Sequence, residues 1–372
     1  MSDTLYLPPS DAGTLLTAAN RLIAGRTGAL GMFFGDTDHP ELADVANLRD
    51  ALDAPAFGGI FPGLIHEGKV VDHGVLLVFM PDAGEPVLVK HLDQPECQWP
   101  ATDMLSSCRS ALIIPDGHAA HIGAFLASTY HIAGHGVAYL GGGAGSLTDP
   151  EMPSVFAGAE ACKRCAVIVP MGRRCGLGVR HGWQTLYGPL LASRTRGNVI
   201  DELNWMPAID VYRQHVEPDA GVSLDADNFF DVAKAYPFGI YRADAEYVVR
   251  DPMRVDPDGS LVCVAEVPQN TTLSLLRGEP GTLIEAARQS AGDALENVGG
   301  QADDVLVFDC ISRAIFLDQQ FQQELDAVTE LATAAGVAAP PSGMLTLGEI
   351  ASSETGIPDF LNKTIVVGAF HG

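Results

Sequence analysis

Short apolar runs bounded by turn residues recur along the chain: Ala29–Phe34, Ala111–Ile114, Val137–Leu140, Ala166–Pro170 and Val305–Phe308. Runs this short and uninterrupted read as buried strands. Between them the apolar period lengthens to that of an amphipathic helix at Thr14–Ala24, Glu41–Leu52, His118–His131, Thr282–Glu296 and Asp318–Ala334, with one more helix carrying Ala208, Ile209, Val211 and Tyr212 on one face. Asp36 and Asp38 stand where caps for the Glu41–Leu52 helix would, and Pro55 follows its end. Further strands are expected at Phe57–Ile65, Gly74–Phe79, Val155–Ala157, Gly176–His181, Leu190–Thr195, Glu246–Val249, Leu261–Val264, Thr272–Leu276, Met344–Ile350 and Thr364–Phe370. His66-Glu67-Gly68-Lys69 and Asp256-Pro257-Asp258-Gly259 supply turns, the second with Pro presetting φ and Gly free to take positive φ.

One pattern repeats. Strand 29–34, helix 41–52, the octet Gly58-Gly59-Ile60-Phe61-Pro62-Gly63-Leu64-Ile65 and strand 75–79 run parallel to strand 305–308, helix 318–334, the octet Gly343-Met344-Leu345-Thr346-Leu347-Gly348-Glu349-Ile350 and strand 364–370. Both octets space their glycines alike and end in Ile, which predicts a shared β-α-β-β unit. The strand pairs call for antiparallel neighbours, so the expected class is α+β: mixed, largely antiparallel sheets covered by helices, in two related halves. Glu217–Leu224, rich in Pro, Gly and Asp, marks the best boundary, dividing the chain into an N-terminal segment 1–27 and halves 28–216 and 217–372.

Charge narrows the partners. The 372 residues carry 22 Lys plus Arg against 47 Asp plus Glu, a net −25. A polyanion such as nucleic acid, or an anionic membrane surface, is therefore not an expected partner. The first residues have neither a basic region nor an apolar one, so no secretory leader is expected, and no stretch is long enough to span a bilayer. Seven scattered cysteines, an odd number in a large chain, fit a reducing, cytoplasmic setting with most thiols free.

Familiar motifs do not carry the chemistry. Cys162-Lys163-Arg164-Cys165 has metal or redox spacing, but only Cys175 lies near it and four ligands are needed for zinc, so two free cysteines beside a strand is the favoured reading. His118, His121, His131 and His135 lack HExxH spacing. Gly141–Gly145 lacks the order of GxGxxG and reads as a tight turn, and neither GxSxG nor GxxxxGK[ST] occurs. Two places remain. In Arg180-His181-Gly182-Trp183 a cation, an imidazole and an aromatic end a strand, and could either wall a pocket or form a packed turn. In Asp309-Cys310-Ile311-Ser312-Arg313 with Gly348-Glu349-Ile350, Arg313 and Glu349 could clamp a zwitterion or pair with each other.

These stretches, together with Asn198 through Arg213, Tyr247–Pro252 and Asp256–Leu261, resemble the FIST domain (F-box and intracellular signal transduction) in its N-terminal and C-terminal parts, from about residue 28 onward. The resemblance implies a non-enzymatic sensory module that binds a small polar ligand such as an amino acid and signals to a separate kinase, cyclase or other protein. Arg180, His181, Trp183, Arg313, Glu349 and Cys310 are then the expected lining of one cavity, Arg meeting a carboxylate, Glu349 an amine and Trp183 the apolar part. No cofactor is expected in this reading. The alternative is a haem-based nitric oxide sensor, since some similar proteins bind haem; a third is an enzyme using Cys310 activated by Arg313. The first half departs from the family pattern at its octet, where Leu64 stands in place of an acidic residue.

Overall fold

The computed structural model describes residues 3–100, 105, 108–242, 246–352 and 356–372. It contains three copies of one unit and an insertion in the third. The first unit runs β1 (Thr4–Leu7), α1 (Ala12–Ile23), β2 (Gly28–Gly35), α2 (Leu42–Ala46), β3 (Ala56–Phe61), β4 (Gly63–His66), β5 (Lys69–Val71) and β6 (Val75–Pro81). The second runs β7 (Val87–Val89), β8 (Ser110–Pro115), α3 (Ile122–Ala133), β9 (Ala138–Gly142), β10 (Val155–Ala157), β11 (Glu160–Cys162) and β12 (Ala166–Met171). The third opens with β13 (Arg174–Arg180) and is interrupted by β14 (Gln184–Arg196), β15 (Val199–Leu203), β16 (Met206–Pro207), α4 (Ala208–Ala220), α5 (Phe229–Ala233), β17 (Phe238–Ile240), β18 (Val248–Arg250), β19 (Pro252–Val255), β20 (Leu261–Cys263) and β21 (Thr272–Arg277). It resumes with α6 (Pro280–Asn297), β22 (Asp304–Cys310), α7 (Ile311–Leu317), α8 (Phe321–Ala334), β23 (Ser342–Thr346), β24 (Glu349–Ser352), β25 (Pro358–Leu361) and β26 (Ile365–His371).

Each unit gives up a hairpin. β2, β8 and β22 pair parallel with β3, β9 and β23 and antiparallel with β6, β12 and β26. The hairpin β10–β11 then extends the first unit's sheet through β3, β24–β25 extends the second's through β9, and β4–β5 extends the third's through β23. The exchange is cyclic. The related segments are thus interleaved, and the mixed, largely antiparallel sheets and the repeat foreseen from the sequence are both present.

The continuous apolar runs follow from this arrangement, because each central strand is covered on both faces. Phe33, Leu112, Ile114, Leu306 and Phe308 enter one core shared by the three sheets. Their neighbours face outward: Leu30, Met32 and Phe34 to α1 and α2, Ala111 and Ile113 to α3, Val305 and Val307 to α6 and α8. Three glycines set how closely the parallel strands approach. A Cβ on Gly58, Gly141 or Gly343 would lie 1.8 Å from Met32 O, 1.9 Å from Ile113 O and 1.9 Å from Val307 O respectively.

Several sequence expectations change. The strand expected at Phe57–Ile65 splits at Pro62, which has no N–H for a ladder, so that β3 and β4 join different sheets; Met344–Ile350 splits likewise at Leu347-Gly348. The helix expected at Glu41–Leu52 is only α2 and a 3-10 turn at Arg49–Ala51, and Asp36 bonds the Leu147 amide instead of capping it. Helix α3 begins at Ile122, four residues later than the pattern suggested, and the Gly141–Gly145 cluster begins as strand. Helix α4 runs into the segment read as a boundary, through Pro218 to Ala220.

Gly58→Ala and Gly343→Ala should each cost about 2–3 kcal/mol in denaturant unfolding, because the close strand approach leaves no room for a methyl group. Gly292→Ala, whose Cβ would meet nothing closer than Leu331 at 4.0 Å in α6, should instead stabilise by about 0.5–1 kcal/mol.

Candidate functional site

A cavity of about 730 Å³ opens where the C-terminal ends of β8 and β22 meet the insertion. Crevices at the ends of parallel strands are common ligand positions, because the chain turns there and leaves side chains and amides unpaired. Gly117 and His118 follow β8, Cys310 ends β22 with Ile311 and Ser312 after it, and Asn362 follows β25; the insertion contributes Arg250 and Glu266. Arg250, Cys310–Ser312 and Gly348, far apart in sequence, converge here.

Arg250 is the one Lys or Arg among the described lining residues. Its Nε donates to Glu266 O (2.7 Å), and Nη1 to Val249 O (2.9 Å) and Phe360 O (3.3 Å), with Asn362 Oδ1 at 3.4 Å. Nη2 makes no hydrogen bond among the described residues. Burial lowers the pKa of this guanidinium to about 10, which leaves it charged at neutral pH. Glu266 is exposed at the mouth, and the rim is apolar: Ile315, Val264 and Met253 are 40%, 40% and 38% exposed.

Beneath the cavity lie buried charges. Arg313 is fully buried; its Nε donates to Glu324 Oε1 (2.9 Å) and lies 3.3 Å from Asp309 Oδ1, Nη1 donates to His181 O and Lys363 O, and Nη2 donates to Leu283 O. Burial opposes the charge, but Glu324 and Asp309 outweigh it and raise the Arg313 pKa. Burial and the neighbouring Glu324 push the Asp309 carboxyl well above its ordinary range, which favours its protonated form beside the Arg313–Glu324 pair. Lys363, also fully buried, sits 3.1 Å from Asp251 Oδ2 and donates to Lys234 O.

The six residues expected to share one cavity do not. Arg313 is a structural tie whose partners are Glu324, Asp309 and three carbonyls, Glu349 not among them. Glu349 is fully buried, accepting from Thr346 Oγ1 (2.8 Å) and the Thr364 amide (3.2 Å), with its pKa pushed up to about 8 by burial. Trp183 is buried, its Nε1 donating to Lys363 O while its ring packs on Phe316. Arg180 and His181 line a second cavity, of about 830 Å³, where Arg180 is paired with Asp293 and Glu246. Burial lowers the His181 pKa to about 4. The stretch through β25 divides the two cavities by alternation: Asp359 and Leu361 face the second, Phe360 and Asn362 the first.

Cys310 alone of the six lines the first cavity, and burial raises its thiol pKa, which favours the protonated form. His118 Nε2 is engaged with Ser146 O. Cys162 and Cys165, expected as free thiols, form a disulfide, and the other five cysteines are free. Among the described residues no cluster of three or more His, Cys, Asp or Glu is arranged for a metal ion, and no helix is long and apolar enough to cross a membrane. Sequence reasoning missed Arg250, Glu266 and Asn362. Arg250 sits inside a stretch that carried the family resemblance, and that was its only signal.

A family model described as FIST N domain matches residues 29–206, and one described as FIST C domain matches residues 208–352. No curated protein matches the chain.

Arg313→Met should cost about 3–5 kcal/mol in denaturant unfolding, since it strands Glu324 and the three carbonyls. Stability should also change with pH on both sides. Glu349 binds its proton up to about 8 when folded but only to about its ordinary 4.5 when unfolded, so its contribution is present below 4.5 and is lost as pH rises through 8. His181, ordinarily 6.5 and about 4 when folded, contributes stability above 6.5 that is lost as pH falls through 4. Urea unfolding across this range should show Glu349→Gln flattening the alkaline fall and His181→Asn the acid one.

Proposed function

Because this chain belongs to the FIST family, whose domains are signal-transduction sensory domains, we propose that it is a sensor for a small zwitterionic or carboxylate ligand held in the cavity beside Arg250. The observation that carries the reading is Nη2, unbonded among the described residues, on a guanidinium whose other donors are already fixed. A carboxylate there replaces water with a charge-assisted hydrogen bond on a donor that needs no reordering. Glu266 at the mouth suits an ammonium group, Ser312 and Asn362 add neutral polar contacts, and the apolar rim suits a hydrocarbon side chain, so an amino-acid-like molecule matches the set.

Signalling requires that the ligand favour one arrangement of the protein over another. The cavity offers that, since one wall belongs to the insertion and the other to the strand ends of the repeated units. A ligand bridging Arg250 and Ser312 draws the two together, and the altered surface is read by a separate signalling protein such as a kinase or cyclase in the cytoplasm. The chemistry proposed is binding, without turnover.

Calorimetry of the full chain against amino acids and simple carboxylates should give saturable heat with at least one of them. Arg250→Ala should weaken that ligand by about 10–100-fold, the value of a hydrogen bond to a charged group, while Arg180→Ala, in the other cavity, should leave it unchanged. No heat with any compound, or a loss in Arg180→Ala with none in Arg250→Ala, would overturn the reading.

A further inference from the structure

We propose that Cys162–Cys165 is a reversible thiol–disulfide exchange site, acting with low-molecular-weight thiols, whose state sets the firmness of the cavity's second-unit wall. The bond closes the turn between β11 and β12. Inside it Arg164 is held at φ 55°, a left-handed conformation that costs a non-glycine residue free energy and that closure helps to maintain.

Arg164 is the hub through which this turn reaches the cavity. Its amide donates to Asp116 Oδ2 (2.7 Å), its Nη1 to His118 O (2.9 Å), and its carbonyl accepts from the Leu92 amide (2.8 Å). Asp116, buried, in turn accepts from the His118 amide (3.0 Å), and Leu92 O accepts from the His121 amide (3.0 Å). Two short chains of bonds therefore end on Gly117–His121, which line the cavity.

The repeated unit supplies an internal comparison. The bond from the Asp116 amide to Cys165 O has a counterpart in each unit, from the Gly35 amide to Gly74 O and from the Cys310 amide to Thr364 O. By this register Lys363, also left-handed at φ 52°, is the third unit's equivalent of Arg164. Lys363 is locked by full burial against Asp251, whereas Arg164 is partly exposed and has the disulfide in place of that burial.

The sulfurs are unequal, as exchange requires. Cys162 is partly exposed and Cys165 is 1% exposed. A small thiolate attacks Cys162 Sγ, the S–S bond breaks, and Cys165 leaves as a thiolate and takes a proton. A second small thiolate attacks the outer sulfur of the mixed disulfide, releasing the Cys162 thiol. The protein gains two electrons and two protons, and two small thiols become one disulfide. Reduction frees Arg164 to relax, loosening Asp116, His118 and His121. The effect on ligand affinity rests on the cavity being the sensory site; the exchange reaction and the wall's response do not.

The full chain, equilibrated in reduced or oxidised glutathione at millimolar concentration, is analysed by alkylation and mass spectrometry for the state of the pair and by amide hydrogen exchange for the wall. The pair should be a dithiol in the first buffer and a disulfide in the second, with His118 and His121 amides exchanging about tenfold faster when reduced, and β22 and β26 unchanged. Cys162→Ser should show the fast exchange in both buffers, and Arg164→Ala should show it with the disulfide intact. A pair that stays oxidised in reduced glutathione, one that never forms in oxidised glutathione, or reduction that leaves the amides unchanged would overturn the proposal. Absence of calorimetric heat alongside a normal exchange response would count against the sensory reading alone.

Discussion

A buried guanidinium holds together the elements on which the cavity stands. Arg313 reaches the end of β13 through His181 O, helix α6 through Leu283 O, helix α8 through Glu324 and the turn before β26 through Lys363 O, all without solvent contact. A charge so placed is tolerable only while those acceptors stay in position, since removing one leaves the cation uncompensated in a poor dielectric. The tie therefore penalises any rearrangement of the floor. Because Cys310, Ile311 and Ser312 precede Arg313 on the same strand end and helical turn, fixing the arginine also fixes what the third unit shows to the cavity.

The repetition explains where these charges could arise. Matching the strand registers makes Leu64, Val155 and Glu349 equivalent, as it does Phe34, Pro115 and Asp309. The first and second units keep apolar side chains at these positions. The third replaces them with carboxyl groups, and the second contributes Asp116 at its strand end. The cavity lies between those two ends and is covered by the insertion, so the polar junction falls between the second and third units while the first stays apolar.

Much of the framework was legible because local pattern and burial agree. Ala29–Phe34, Ala111–Ile114 and Val305–Phe308 are covered on both faces, so their apolar runs are uninterrupted, and the matched octets at 58 and 343 reported a real repeat. The cyclic hairpin exchange was not legible, since Pro62 and Gly348 interrupt a ladder without saying which distant sheet the next strand joins. The site suffered for the same reason. Arg313 and Glu349 have the residue types of a ligand clamp, and only the placement of Glu324, Leu283 and Thr346 around them shows both to be buried fixtures. Arg250 drew no notice because its use depends on four acceptors, at 249, 266, 360 and 362, leaving one nitrogen unbonded among the described residues.

Ligand recognition in the proposed sensor depends on that nitrogen. A crystal structure of the full chain, grown with a ligand that gives heat in solution, tests it most directly. Electron density for the ligand's carboxylate is expected within hydrogen-bonding distance of Arg250 Nη2, with Arg313 still bonded to Glu324 beneath it. Density beside Arg180 in the other cavity, or a ligand bound with Arg250 turned away from it, would contradict it.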